Sequence, residues 1–271
     1  IIGYEKKPFP FILCVTNMLL KNILNPNFIK YDNTLSKPFV SWSKEDRVNV
    51  VVSNPPFAGK EEPGMESNFP AQFRTRETAD LFLALIVRLL KKDGRAGVVM
   101  PDGTMFGDNK VKTYLKKHLL EETNVHTIIK LQDSVFKPYA NKQTFILFFE
   151  KGSKTKDIWY YEIPLPESIK SHSMSNPILF EHFNTCIEWW GGKNRKSREK
   201  SKYSWNIDIQ TIIENNYNLD FKNPYKEKEK EININKEILL HKKIIKETET
   251  ISNKLYQILD IEEKLKEKNI F

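Results

Sequence analysis

Hydrophobic positions follow one rhythm up to about residue 165 and another beyond it. In the first part, β-branched runs alternate with amphipathic stretches. "CVTNMLLKNIL" (14–24) and "TADLFLALIVRLLKK" (78–92) carry helical spacing, whereas "VNVVVS" (48–53) and "RAGVVMP" (95–101) are strand-like. This alternation predicts an α/β fold with a mostly parallel sheet covered by helices. The valine-rich run reads as a buried strand. Two more strands, "VHTIIKL" (125–131) and "QTFILFFEK" (143–151), are joined by a short connection containing Pro138 and Asn141. That link is too irregular for a helical crossover, so the two are expected to pair antiparallel at one edge.

The pattern then weakens. Residues 166–230 are polar and rich in Pro, Ser and Asn, with a basic stretch "KNRKSREK" at 193–200, and are expected to form an irregular extension. After Pro224 neither proline nor glycine recurs, and residues 231–271 read as one long charged helix. Within it Ile244, Thr248, Ile251, Leu255, Ile258 and Leu265 recur at steps of four, three, four, three and seven. That is a coiled-coil-like seam. A lone helix cannot bury its own seam, so it either folds back onto the α/β part or docks against a partner.

Composition narrows the class. The 271 residues carry 43 Lys+Arg against 35 Asp+Glu, a net charge of +8, which favours a polyanionic partner. No apolar stretch is long enough for a membrane span. The opening "IIGYEKKPFPFILCVTNMLLKNI" has neither a basic leader before its apolar part nor a small-residue cleavage site, so neither export nor membrane insertion is expected. Cys14 and Cys186 sit in apolar runs, and no His or Cys stands at metal-ligand spacing from another; a reducing cytoplasm and no structural metal are expected.

In open α/β sheets ligands bind beyond the carboxyl ends of the strands. "VNVVVS" ends in Asn54-Pro55-Pro56-Phe57. The prolines cannot extend a ladder, so the Pro55 carbonyl is free to point outward beside the Asn54 amide oxygen. Two acceptors and an aromatic face suit a planar amino group: the acceptors take its N–H hydrogens and leave its lone pair to attack. The plainer alternative is a rigid turn leaving a strand.

These residues resemble motif IV of the amino-methyltransferases that use S-adenosylmethionine. The likeness extends through "GYEKKPFPFILCVTNMLL", "DNTLSKPF", "NFPAQFRTRETADLFLALIVRLLKKDGRAGVVMPDGTMFG" and "NYNLDFKNP". Together they resemble the methylation subunit of type I DNA restriction-modification systems, over nearly all of residues 1–225. The resemblance implies a Rossmann-like methyltransferase sheet, with residues 1–165 as the C-terminal part of the catalytic domain and 231–271 as a helix docking onto a specificity subunit. It implies S-adenosylmethionine as cofactor, and double-stranded DNA, a specificity subunit and a restriction subunit as partners.

By the same resemblance Glu5 accepts hydrogen bonds from the cofactor ribose, and Asp32 lies near the cofactor adenine. A surface ion pair with Lys6 or Lys7 and an ordinary Asp-Asn turn are the respective alternatives. Pro101 and Asp102 either line the target pocket or form a turn. The loop "AGKEEPGMESNFPAQFRTRETA" is long enough to close over a flipped base, with Arg74 and Arg76 available to phosphates, or is simply a solvated loop. The family's first strand and its glycine-rich loop are not found, so the chain is expected to be the C-terminal portion of a longer subunit. The activity implied is adenine N6 methylation. Methylation of a protein glutamine at N5, and a non-catalytic module that binds DNA or a partner, are the alternatives.

Overall fold

The computed structural model describes residues 2–57, 59–137, 140, 143–225 and 241–255. Two compact units divide the chain, residues 1–225 and residues 226–271.

The first unit begins with a β-α-β pair. Strand β1 (Gly3–Glu5) leads into helix α1 (Pro8–Leu20), which returns the chain to β2 (Ile29–Tyr31), parallel to β1. Pro8 suits the first helical position, where its missing N–H costs nothing. A second unit of the same kind runs from β3 (Val48–Ser53) through α2 (Thr78–Leu89) to β4 (Leu90–Pro101), again parallel. The short α3 (Asp102–Met105) and α4 (Lys110–Glu122) follow, then β5 (Thr123–Lys130), β6 (Thr144–Lys151) and β7 (Asp157–Glu162). The unit closes with α5 (Asn184–Trp189), β8 (Ser204–Asp208) and α6 (Ile209–Glu214).

The larger sheet has six strands in the order β3-β4-β6-β5-β7-β8, and β1-β2 form a separate two-stranded sheet. This is the α/β architecture expected, but the sheet is more mixed than the mostly parallel one expected: β3–β4 and β5–β7 pair parallel, while β4–β6, β5–β6 and β7–β8 pair antiparallel. β5 and β6 do pair antiparallel, but not at an edge: β6 inserts between β4 and β5, and β7 and β8 extend the sheet beyond them. β7 is parallel to β5, and β8 lies inside the stretch expected to be irregular. Residues 166–230 are therefore partly built into the sheet. Pro138 and Asn141, in the connection before β6, lie outside the described residues.

The core fills one face of the large sheet. Leu81, Leu85 and Ile86 of α2 and Leu115 and Leu119 of α4 pack on Val98, Phe145, Leu147 and Phe149. Hydrophobic burial of this kind is the main favourable contribution to folding. A smaller cluster covers part of the opposite face, where Ile129, Tyr161 and Ile163 meet Cys186 of α5 and Trp189 and Trp190. Over β3 that opposite face is open. Val52 is 87% exposed and Val50 50%, so the strand expected to be buried is instead an edge with one uncovered face. In front of it lies a groove of about 1210 Å³, whose lining includes Val50, Val99, Ile146 and Phe148.

Of the C-terminal stretch, residues 241–255 form a helix. Ile244, Ile251 and Leu255 of the expected seam are each at least half exposed, while Ile258 and Leu265 lie outside the described residues.

Candidate active site

The carboxyl ends of β1, β2 and β3 open into one cavity of about 370 Å³. Glu5 ends β1, Asp32 follows β2, and Ser53-Asn54-Pro55-Pro56 leaves β3; all of them line it. β1 and β2 pair parallel and so end on the same side, and the end of β3, from the larger sheet, meets them at one rim. Tyr4, Pro10 and Phe82 add apolar walls.

The two acidic residues are held by their own backbone. The Asp32 N–H donates to the Glu5 carbonyl at 3.2 Å, while the Glu5 carboxylate accepts from the Lys7 N–H at 2.8 Å and the Asp32 carboxylate from the Asn33 N–H at 2.7 Å. Each carboxylate keeps a second oxygen outside that bond. Asn54 and Pro56 are exposed at the strand end, and Pro55 is buried. Phe57 does not line this cavity; its ring meets Phe136 edge-on, centroids 4.7 Å apart.

One organising residue was not foreseen. Glu61 lines the cavity at only 4% exposure and ties three segments together. Its carboxylate accepts from Thr78 Oγ1 at 3.1 Å, Asn33 Nδ2 at 3.2 Å and Lys6 Nζ at 3.3 Å. A buried carboxylate needs such partners, because desolvating it alone is costly. No sequence signal separates Glu61 from its neighbours in the polar run "GKEEP".

The loop after Phe57 is more built than expected. Phe69 and Phe73 are buried against Phe39, with centroid distances of 5.6 and 5.9 Å. Arg76 donates from Nε and Nη2 to the Glu61 carbonyl at 3.0 and 2.9 Å, and Arg74 from Nε to the Phe69 carbonyl at 3.2 Å. Both arginines thus hold the loop's own backbone, although each remains exposed.

Pro101 and Asp102 stand where β4 passes into α3. Behind them is a buried charge cluster. Asp80 Oδ1 accepts from Thr104 Oγ1 at 2.6 Å, and its other oxygen lies 3.3 Å from Lys112 Nζ. Burial pushes the Asp80 carboxyl above its ordinary range, against the pull of Thr104 and Lys112. Lys116 donates to the Met105 and Gly107 carbonyls, and burial, reinforced by the Lys112 charge, draws its ammonium down to about 8. The lone carboxylate in the apolar run "TADLFLALI" is the one sequence signal that could have pointed to this cluster. Among the described residues no three potential metal ligands come together, and no helix is long and apolar enough to cross a membrane.

Comparison with known proteins agrees with this architecture. The family model described as N-6 DNA methylase matches residues 1–233. The chain is 52% identical over 227 residues to the type I restriction enzyme EcoEI methylase subunit of Escherichia coli, covering 83% of this chain and 46% of the relative. It is 26% identical over 222 residues to the EcoKI methylase subunit of Escherichia coli strain K12, covering 77% and 40%. Among solved structures, a modification subunit of a putative type I restriction enzyme from Vibrio vulnificus YJ016 superposes with a TM-score of 0.76 at 37% identity, covering 83% of this chain and 48% of that one. The chain therefore spans about half the length of the relatives it matches. With its α/β sheet, its strand-end Asn-Pro-Pro-Phe and a family match over most of its length, this chain belongs to the N-6 DNA methylase family, and it is similar to part of the methylation subunits of type I restriction enzymes.

Proposed function

We propose that this chain carries the target-base side of an S-adenosylmethionine-dependent DNA adenine N6-methyltransferase and one wall of its cofactor site. The observation that carries the reading is the shared cavity, which brings Glu5 and Asp32 to the same rim as Asn54 and Pro55. Its volume lies within the range of small-molecule sites. Acceptor carboxylates at two strand ends and flanking apolar walls fit a nucleoside with ribose hydroxyls and an adenine ring. When bound, S-adenosylmethionine supplies an electrophilic methyl group. Glu5 would accept from the ribose hydroxyls and Asp32 would orient the adenine end.

The target adenine would be flipped from the duplex, because N6 is inaccessible within the stack. The Asn54 amide oxygen and the Pro55 carbonyl would accept the two N6 hydrogens and leave the lone pair directed at the methyl. Phe57, braced by Phe136, would stack on the base. No covalent enzyme intermediate is required; positioning and preorganised acceptors supply the acceleration. The groups of Arg74 and Arg76 outside their loop bonds would meet phosphates.

β1 and β3 each end their own sheet, and the exposed edge of β3 faces open space. A strand and glycine-rich loop from the portion corresponding to the rest of the longer relatives would complete the sheet and the cofactor site here. The same reading gives the complex a specificity subunit, docked through the C-terminal helix, a restriction subunit and a cytoplasmic setting.

The test is methyl transfer from radiolabelled S-adenosylmethionine to adenine in duplex DNA, using the chain completed by that portion and a specificity partner. Asn54→Ala should abolish transfer while leaving cofactor binding largely intact. Undiminished turnover in that variant removes Asn54 from its role, and label on a protein glutamine instead of DNA would favour the N5 alternative.

A further inference from the structure

The opposite end of the large sheet carries a second concave region, remote from Asn54. Arg47 immediately precedes β3 and Asn54 follows it, so the strand's six residues separate them by about 20 Å at ordinary strand rise. Two cavities of about 410 and 300 Å³ share Arg47, Glu122 and Lys151 in their linings. Arg88 completes one, and Lys92 and Lys154 the other. The carboxylates present are Glu121 and Glu122, so cations prevail.

These cations are placed by the fold and are not neutralised by one another's neighbours. Lys151 donates to the Val87 carbonyl at 2.6 Å, and Arg88 donates from Nη2 to the Trp42 carbonyl at 2.9 Å while lying over the Phe39 ring. Such neutral partners fix the chains without cancelling their charge. The Nε groups of Arg47 and Arg88 are buried with no hydrogen-bond partner, which is uncommon for buried polar atoms. Among the described residues Arg47 makes no ion pair. The Lys151 ammonium is drawn below its ordinary range, first by burial and next by the Arg47 charge, with Glu122 opposing and Arg88 adding. Burial is the larger cause, and the Arg47 charge beside Lys151 outweighs that of Glu122.

We propose that Arg47, Arg88 and Lys151 form a binding site for a phosphate-class oxyanion at the amino-terminal end of β3. Guanidinium groups offer forked donors that match phosphate oxygens, and Lys151 adds a point charge. The site stands apart from the methyl-transfer reading. The anion is either a free phosphate or a phosphate of a nucleic-acid backbone, and both present the same oxygens.

His118 lines the smaller cavity and stacks on Tyr114, which makes its ring a local reporter. The experiment titrates inorganic phosphate into the full chain at constant ionic strength while following the His118 ring resonances and the calorimetric heat. We expect a saturable shift, and about a tenfold or greater loss of affinity in Arg47→Gln, as expected for removing a charge-assisted hydrogen bond. A wild-type His118 signal that responds no more to phosphate than to chloride overturns the proposal, whatever the variant does. Equal phosphate affinity in wild type and in a folded Arg47→Gln overturns it too. If a short DNA duplex displaces phosphate from the His118 reporter, the site belongs to a nucleic-acid backbone; if phosphate stays bound, it takes free phosphate.

Discussion

The backbone N–H of Asp32 donates to the carbonyl of Glu5 at 3.2 Å, so that two acidic residues separated by a whole helix leave neighbouring strand ends together. Helix α1 makes this possible, since a crossover is what allows two strands to run parallel. The relationship predicts that Glu5→Ala weakens cofactor binding in the completed enzyme by about tenfold or more, as for other lost hydrogen bonds to a charged group. Calorimetric titration with S-adenosylmethionine measures it. Unchanged affinity would separate Glu5 from the cofactor.

Glu61 should matter for stability before it matters for activity. Glu61→Ala leaves Thr78, Asn33 and Lys6 without their shared acceptor. The expected loss is about 2–3 kcal/mol, since the Thr78 hydroxyl and the Asn33 amide lose a charged partner near the protein interior. Urea denaturation reads this as a lower midpoint with an unchanged slope. A midpoint within error of wild type would mean that the three segments are held by other contacts.

Phe57 is predicted to act on the flipped base and not on the fold. Phe57→Ala should weaken retention of the base by roughly 1–3 kcal/mol, the usual range for base stacking on aromatic side chains. With 2-aminopurine at the target position, the mutant complex should lose the fluorescence change that accompanies capture. An unaltered signal assigns the stacking to another residue.

Acid stability should depend on His126. Burial, then the Arg195 charge, holds its imidazole down to about 3, with Glu150 opposing. In the unfolded chain it titrates near the ordinary value of about 6.5. Between those values the unfolded state binds the extra proton, so stability contributed by the neutral ring is present above about 6.5 and declines as pH falls toward 3. Melting curves from pH 7 to pH 4 should fall less steeply for a folded His126→Asn variant than for wild type. Parallel pH profiles would place the acid sensitivity elsewhere.

The C-terminal helix is predicted to serve assembly. Removing residues 235–271 should leave a folded α/β unit that no longer co-purifies with a specificity subunit, because Ile244, Ile251 and Leu255 are exposed along the helix and need an apolar surface. Full retention of the complex by the truncated chain would move the docking surface.

Much of this protein was legible from local pattern. Alternating periodicity located α2 and β3, and the proline pair marked where the chain must leave the sheet, because proline has no N–H to give a ladder. The antiparallel pairing of β5 and β6 followed from a connection too short for a crossover. What the pattern could not supply was neighbourhood. The insertion of β6 between β4 and β5, and the recruitment of β7 and β8 to the sheet, rest on hydrogen bonds between strands remote in sequence, which no local spacing encodes. Likewise the valines of β3 have the composition of a buried strand, but exposure is set by what packs beside them, and Val50 and Val52 face open space. The candidate site divides in the same way: Asn54, Glu5 and Asp32 could be named from strand ends and motif resemblance, while Glu61, Lys112 and Lys116 acquired their places only because folding surrounds their charges with specific partners. Sequence determines which residues can form strands, turns and helices; only the tertiary arrangement decides which charges are desolvated, and therefore which must be paired.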